Sequence, residues 1–140
     1  MTVRRTIAAA IAIATIAALA YLRDPPWLAG VESGLRGWET AADGTRFRWT
    51  DGHASFFVPA ASGAVTIPVR VPFDAPGDPP VRVRIAIDDR LADEFELRDD
   101  RWTSRRLQLP PPGSRSLRRV DLRVDRVRAG NRGVQMARVH

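Results

Sequence analysis

The ten residues AVTIPVRVPF, residues 64–73, decide the fold class because hydrophobic residues alternate with other residues through the whole stretch. The hydrophobic side chains of odd number fall on one side of an extended chain: Val65, Ile67, Val69, Val71 and Phe73. A period of two residues is typical of a β-strand with one buried face. Pro68 and Pro72 remove backbone donors from a single lateral side, so we expect one flank of this strand to be a sheet edge.

The same alternation continues downstream. It predicts strands over residues 81–88, 91–97, 102–109, 118–128 and 133–139. Residues 118–128 also fit a helical stripe, but their β-branched side chains favour a strand. Asp88-Asp89-Arg90 is expected to close a hairpin. About eight short strands without a soluble helix predict an all-β, antiparallel two-sheet sandwich of jelly-roll type.

Upstream, the stretch GTRFRWTDGHASFFVP, residues 44–59, concentrates aromatic side chains. Its Asp51-Gly52 pair is a strong signal for a two-residue hairpin turn, because both positions tolerate a positive φ. Phe47 and Trp49 share one side of the strand before this turn. After the turn, Ala54, Phe56 and Val58 share one side. We therefore predict a hairpin that contributes its aromatic side chains to the core.

Composition limits the possible functions. The 140 residues allow one domain of modest size, and there is no cysteine for a disulfide or thiol chemistry. All 22 basic residues are arginine and are interleaved with 16 acidic residues, which is typical of a solvated surface. No nucleotide-binding loop, zinc-protease motif or serine-hydrolase motif is present. We expect no nucleic acid partner, no cofactor and no metal site.

The N-terminus predicts a membrane segment. Residues 1–5 carry two arginines and are expected in the cytoplasm, and residues 6–22 are free of charge. A helix of this length spans about 25 Å and reads either as a single-pass anchor or as the apolar region of a signal peptide cleaved near Ala20. Both readings export the rest of the chain. Residues 23–43 read as a linker and first strand, followed by the sandwich domain at 44–140.

Several segments together carry a resemblance to a protein group. They are SGLRGWE, DGTRFRWTDGHASFFVP and VTIPVRVPFDAP, followed by IDDRLAD, LPPPGSR, RRVDLRVDR and NRGVQ. They resemble uncharacterised bacterial membrane-anchored or exported proteins whose outer part is similar to jelly-roll, carbohydrate-binding-module-like sandwiches. The resemblance covers roughly residues 31–140. It implies a fold and a location, and it carries over no catalytic or binding residue.

The candidate ligand-binding residues are aromatic or basic. Trp38, Trp102 and Trp49 are each able to stack on the C–H face of a sugar, or to pack in the core. Arg119 and Arg123 belong to the densest basic run and are candidates for anionic glycans or lipid head groups. The default interpretation of this run is a solvated face paired with aspartates.

Two further features are expected to be structural. His53 lacks a partner set for catalysis and is expected to bond a nearby aspartate or backbone group. The aspartates at 88, 89, 93, 99 and 100 lie near turns and between arginines, so we expect turn chemistry and ion pairs.

The sequence therefore predicts a non-catalytic β-sandwich outside the cytoplasmic membrane of a bacterial cell. It is expected to act as a structural or interaction accessory in the cell envelope, with an envelope membrane protein as its partner. The alternative is a module that binds a glycan or polysaccharide on the outer side of the membrane. Exposed tryptophans would favour the alternative, and an unprotected strand edge would favour the accessory.

Overall fold

The computed structural model describes residues 2–75, 77–113 and 115–140. One apolar helix, α1 (Thr2–Arg23), precedes two short 3₁₀ turns and the strands of a single antiparallel sheet. The 3₁₀ turns span Pro26–Gly30 and Ala60–Ser62. The strands are β1 Ser33–Thr40, β2 Arg46–Pro59, β3 Ala64–Arg70, β4 Val81–Ile87, β5 Arg90–Leu97, β6 Thr103–Gln108, β7 Leu117–Val124 and β8 Gln135–Ala137.

Helix α1 stands away from the sheet. It is long and apolar enough to cross a membrane, and none of the apolar window is buried inside the protein. Ile13, Ile16 and Leu19 are each about two-thirds exposed. A helix that is apolar on all sides and uncovered by protein fits a membrane span or a signal sequence.

Hydrogen bonds order the sheet as β5-β4-β7-β2-β8-β3-β6, with β1 on the free side of β2. The end strands of this path approach each other through side chains. The Arg105 guanidinium of β6 bonds the Asp93 carboxylate of β5 at 2.6 Å and lies 4.7 Å from the centre of the Phe95 ring. The seven strands of this path thus form a nearly closed barrel, and β1 pairs with β2 outside the path. The two-sheet sandwich with jelly-roll topology is not confirmed.

Strand β3 supplies one side of the core, as its pattern predicts. Val65, Ile67, Val69 and Val71 are all buried, and Ile67 is 0% exposed. They pack with the inward-facing residues of β4 and β7, while Phe73 lies partly buried against the same cluster. Hydrophobic burial on one face of β3, β4 and β7 stabilises this sheet.

Two other local predictions are confirmed. Residues Leu117–Val124 form a strand rather than a helix. Asp88 and Asp89 join β4 to β5 with φ values of 48° and 68°. Two positive φ values in a two-residue loop suit the right-handed twist of a hairpin.

The hairpin predicted at Asp51-Gly52 is wrong, because β2 runs without interruption from Arg46 to Pro59. Residues 47–49 pair with β8, and residues 53–59 pair with β7. Asp51 and Gly52 therefore mark the point where β2 changes partner. On β1, Leu35 pairs with Thr50 and Ser33 pairs with Ser55, so the single residue Gly34 lies opposite residues 51–54 of β2. These four residues of β2 therefore form a bulge.

Gly34 explains why a bulge forms there. Its φ is +63°, and a Cβ at this position would lie 1.9 Å from the carbonyl oxygen of His53. Only glycine allows both the backbone conformation and so close an approach. The bulge also changes which parity is buried, from Phe47 and Trp49 before it to Ala54, Phe56 and Val58 after it.

The open edge expected for β3 is also wrong, because β3 has neighbours on both sides. Its residues 64–69 pair with β6, and Val69 and Arg70 pair with β8. Thr66 exchanges backbone hydrogen bonds with His140 on the β8 side. Pro68 lies between these two contacts, so its missing donor interrupts the pairing on that flank without exposing the whole edge.

Candidate functional site

One row of side chains leads from the core to the surface. The strand register places Trp38 opposite Arg48, Arg48 opposite Met136, and Met136 opposite Val69. Residues directly opposite each other share a face of the sheet. Val69 and Met136 are buried in the core, whereas Trp38 on β1 is 45% exposed. The core-facing side of the sheet therefore continues to β1 and ends there in the partly exposed Trp38 indole.

A cleft of about 140 Å³, here called the Trp38 cleft, opens beside this indole. Its apolar wall comes from Leu35, Phe56, Met136 and Val139. Its polar groups are Glu32, Arg48 and Arg138. An apolar wall with a few polar groups is the usual composition of a small-ligand site.

Arg48 is the fixed cation of the Trp38 cleft, with a side chain only 13% exposed. Its Nη2 donates to Glu32 Oε2 at 2.6 Å, and its Nε donates to the Arg36 carbonyl oxygen at 2.9 Å. Its guanidinium carbon lies 5.2 Å from the centre of the Trp38 ring, and that of Arg46 lies 5.3 Å from the same centre. Two cations within 6 Å of one ring are in the range of cation–π attraction. The indole and Arg48 are thus held in place before any ligand arrives.

Trp49 and Trp102 lie elsewhere, on the outer face of the sheet. Trp49 is opposite Gln135, and Gln135 is opposite Arg70. Arg70 Nε donates to Gln135 Oε1 at 2.7 Å, and its guanidinium carbon lies 4.8 Å from the Trp102 ring centre. Trp49 is only 6% exposed and contacts the Phe47 ring edge-on. This row is a packed structural layer in which both indoles are less exposed than that of Trp38.

Arg119 and Arg123 lie on the outer face of β7, on either side of Asp121. Arg119 Nε donates to Asp121 at 2.8 Å, and its guanidinium also contacts Asp89. The hydrogen bond to Asp121 raises the pKa of the Arg119 guanidinium above its usual value, and desolvation opposes this effect. Arg123 stands opposite Arg84 of β4 and makes no ion pair with any of the described residues.

His53 and four of the five aspartates have the structural roles expected from the sequence. His53 Nε2 lies 2.9 Å from Asp121 Oδ1. Ion pairs with arginine hold Asp88, Asp89, Asp93 and Asp99. Within the described ranges, no three His, Asp or Glu side chains come together as a metal-binding group.

The five sequence candidates therefore do not form one site. Trp38 lines a cleft, Trp49 and Trp102 share an outer row, and the two arginines lie on β7. Sequence reasoning missed Arg48 and Glu32, the polar pair beside Trp38. Arg48 lies between Phe47 and Trp49, so its parity was available from the sequence, but its register against Trp38 depends on two register shifts between β1 and β2.

No family model matches the chain, and no curated protein matches it. Three solved structures are similar to it at TM-scores of 0.41 to 0.43. The C-terminal domain of the sugar-binding protein EclA shows a TM-score of 0.43 and 11% identity over 79% of this chain and 64% of that one. The CBM51-2 and INT domains of ZmpB from Clostridium perfringens show 0.41 and 11% over 78% and 28%. The salicylyl-acyltransferase SsfX3 from a tetracycline biosynthetic pathway shows 0.43 and 16% over 78% and 35%.

The chain thus spans less than two thirds of each of these structures. Two of the three are described as sugar-binding or carbohydrate-binding-module proteins, and one as an acyltransferase. Likeness at this level assigns no activity to this chain, so the argument about function rests on the Trp38 cleft.

Proposed function

We propose that this protein is a non-catalytic glycan-binding module, held at the outer side of the cytoplasmic membrane by α1. The observation that carries the proposal is the exposed Trp38 indole in a cleft that also holds an ordered arginine. A sugar ring offers apolar C–H groups on its faces and hydroxyl groups around its rim. The Trp38 cleft offers the complementary pair, an apolar wall and fixed hydrogen-bonding groups.

Charge favours an acidic glycan over a neutral one. Arg46, Arg48 and Arg138 surround the cleft, and Glu32 is the carboxylate among its lining residues. Glu32 is already paired with Arg48, while Arg138 makes no ion pair within the described part of the chain. A carboxylate on the glycan would find donors here without breaking an existing pair, and hydrogen bonds of this kind are stronger than neutral ones.

Helix α1 and its flanks support the proposed location. Arg4 and Arg5 precede the apolar run, and a basic flank remains on the cytoplasmic side of a membrane. The strands begin ten residues after α1 ends, so a span places the whole sheet on the outer side. The two-sheet sandwich of jelly-roll type remains our proposal for the class of this nearly closed sheet.

An interaction accessory for an envelope membrane protein is the second candidate, and the outer edge of β1 favours it. Strand β1 pairs only with β2 among the described strands, so its other edge is open to a strand from a partner. Two register shifts interrupt that edge, which limits the length of strand that it can accept.

A glycan array tests the first candidate. The full chain in detergent micelles is applied to neutral and acidic polysaccharides, together with the variants Trp38→Ala and Trp27→Ala. Trp27 is a matched control because it is 60% exposed and lies outside the Trp38 cleft. We expect acidic glycans to bind, with signal lost in Trp38→Ala and kept in Trp27→Ala.

Two results would contradict the proposal. Equal glycan binding by the two tryptophan variants would remove the Trp38 cleft from the site. No binding by the unaltered chain to any glycan would favour the accessory function instead.

A further inference from the structure

A second cleft opens where α1 meets the sheet. It has a volume of about 480 Å³ and is here called the helix-end cleft. Leu22 and Arg23 of α1 form one wall, and the following residues Pro25 and Trp27 continue it. The strand side contributes the Asp88-Asp89 turn, Arg115 and Arg119.

The helix-end cleft is fixed relative to α1. The Asp24 carboxylate accepts the backbone N–H of Ser116 at 2.7 Å, which ties the end of the helix to the segment before β7. Pro25 is buried beside this contact. Leu22 is the last residue of the uncharged run, so a membrane-spanning α1 leaves the hydrocarbon at the rim of the cleft. Each residue adds only about 1.5 Å along a helix, so Leu22 and Arg23 lie within a few ångströms of the hydrocarbon boundary. The cleft that they line is therefore at the depth of the lipid head groups.

Two of the arginines that line the helix-end cleft belong to no salt bridge among the described residues. Arg119 is held by Asp121 and Asp89, and Asp88 is held by Arg118. Arg23 and Arg115 belong to no salt bridge among the described residues, although Arg115 lies near enough to Asp24 to contribute to the lowered pKa of that carboxyl, whose hydrogen bonds with Ser116 are the larger cause. Two guanidinium groups that belong to no salt bridge thus line the cleft, and guanidinium groups suit the oxygens of a phosphate.

Trp27 adds the second feature of an interfacial site. Its indole is 60% exposed at the same cleft. Tryptophan side chains are enriched at the level of the head groups, where an apolar ring and a polar N–H meet both environments.

From these observations we propose that the helix-end cleft binds the phosphate of a membrane phospholipid through Arg23 and Arg115. The proposal rests on α1 spanning the membrane, which is part of the proposed function, and is independent of glycan binding. A lipid bound there would fix the orientation of the strands against the bilayer.

Lipid titration tests this inference. Dioleoyl-phosphatidylglycerol is added to the full chain in detergent micelles, and bound lipid is counted by native mass spectrometry. We expect the double variant Arg23→Ala/Arg115→Ala to bind about tenfold more weakly, the equivalent of about 1.4 kcal/mol. The double variant Arg106→Ala/Arg126→Ala removes the same charge from exposed positions outside the cleft and should bind like the unaltered chain.

Two further arms identify the source of the phosphate. Dioleoylglycerol, which lacks phosphate, should not bind. Release of the lipid by inorganic phosphate alone would assign the site to free phosphate and overturn the lipid assignment. Equal lipid binding by the two double variants would overturn the inference as well.

Vesicle flotation distinguishes failure of the lipid-binding inference from failure of the membrane anchoring by α1. If the full chain floats with phosphatidylglycerol vesicles but lipid binding ignores Arg23 and Arg115, only the cleft assignment fails. If the chain does not float, α1 does not anchor it in the membrane, and both the proposed location and the lipid-binding inference are wrong.

Discussion

Replacement of Gly34 by alanine tests the bulge that organises this fold. Gly34 has a φ of +63°, and an alanine in that conformation costs about 1 kcal/mol relative to glycine. The new Cβ would also lie 1.9 Å from the carbonyl oxygen of His53. Real contacts of this kind are not shorter than 3.0 Å, so β1 must move away from β2 by roughly an ångström.

Such a shift breaks neighbouring hydrogen bonds. The Ser33 and Ser55 hydroxyl groups, now 2.9 Å apart, lie directly beside Gly34. Loss of this hydrogen bond and of one backbone hydrogen bond of the adjacent β1–β2 pairing would add about 2 kcal/mol, so we expect Gly34→Ala to lower the free energy of unfolding by about 3 kcal/mol. In a domain of this size, that corresponds to a fall in Tm of roughly 10–15 °C.

Gly37 provides the matched control in the same strand. Its Cβ position has no atom within 4 Å, and its φ is not positive. Gly37→Ala should therefore leave the Tm almost unchanged. Thermal unfolding of the full chain in micelles, followed by tryptophan fluorescence, measures both variants. A Tm for Gly34→Ala within about 2 °C of that for Gly37→Ala would refute the packing argument.

Three other perturbations address the core, the barrel closure and a turn. Ile67→Ala empties a fully buried position and should lower the free energy of unfolding by about 2–5 kcal/mol, whereas Ile67→Val should cost about 1 kcal/mol in the same denaturant titration. A double-mutant cycle of Asp93→Asn and Arg105→Gln should give a coupling of about 0.5–1 kcal/mol, and zero coupling would mean that the pair does not help to close the barrel. The Asp43 carboxylate accepts the backbone N–H of Thr45, which lowers its pKa below the ordinary 3.8. The stabilisation that this carboxylate gives the folded state is therefore present above pH 3.8 and is lost as the pH falls through the lowered pKa. We expect the Thr45 amide resonance to titrate with a midpoint below pH 3.8. A midpoint at or above this value would contradict the hydrogen bond.

The strands could be predicted because burial of one face requires hydrophobic residues at every second position of the local sequence. The alternation in residues 64–73 specifies β3 without knowledge of its partners. Asp88-Asp89 was recognisable because hydrophobic runs end on either side of a two-residue loop. In both cases the interactions that decide the structure lie within a few residues of the signal.

The Asp51-Gly52 prediction failed because its outcome depends on a distant residue. A short polar pair with glycine suits a tight turn and also suits a bulge. Gly34 on β1 decides between them, since it lets β1 follow β2 past the bulge. The same dependence on register explains the site. Trp38 was recognisable as a large aromatic residue, but its contact with Arg48 follows only from the shifts in β1.

The segment between α1 and β1 connects the two clefts. Trp27 and Leu28 line the helix-end cleft, Ala29 and Glu32 line the Trp38 cleft, and Phe57 lines both. Only nine residues separate the end of α1 from the start of β1, and five of them form a 3₁₀ turn. A chain this short spans at most about 30 Å even when extended. If α1 is anchored, the Trp38 cleft is therefore held close to the bilayer, where it would meet polymers that are attached to or emerging from the membrane rather than those at a distance.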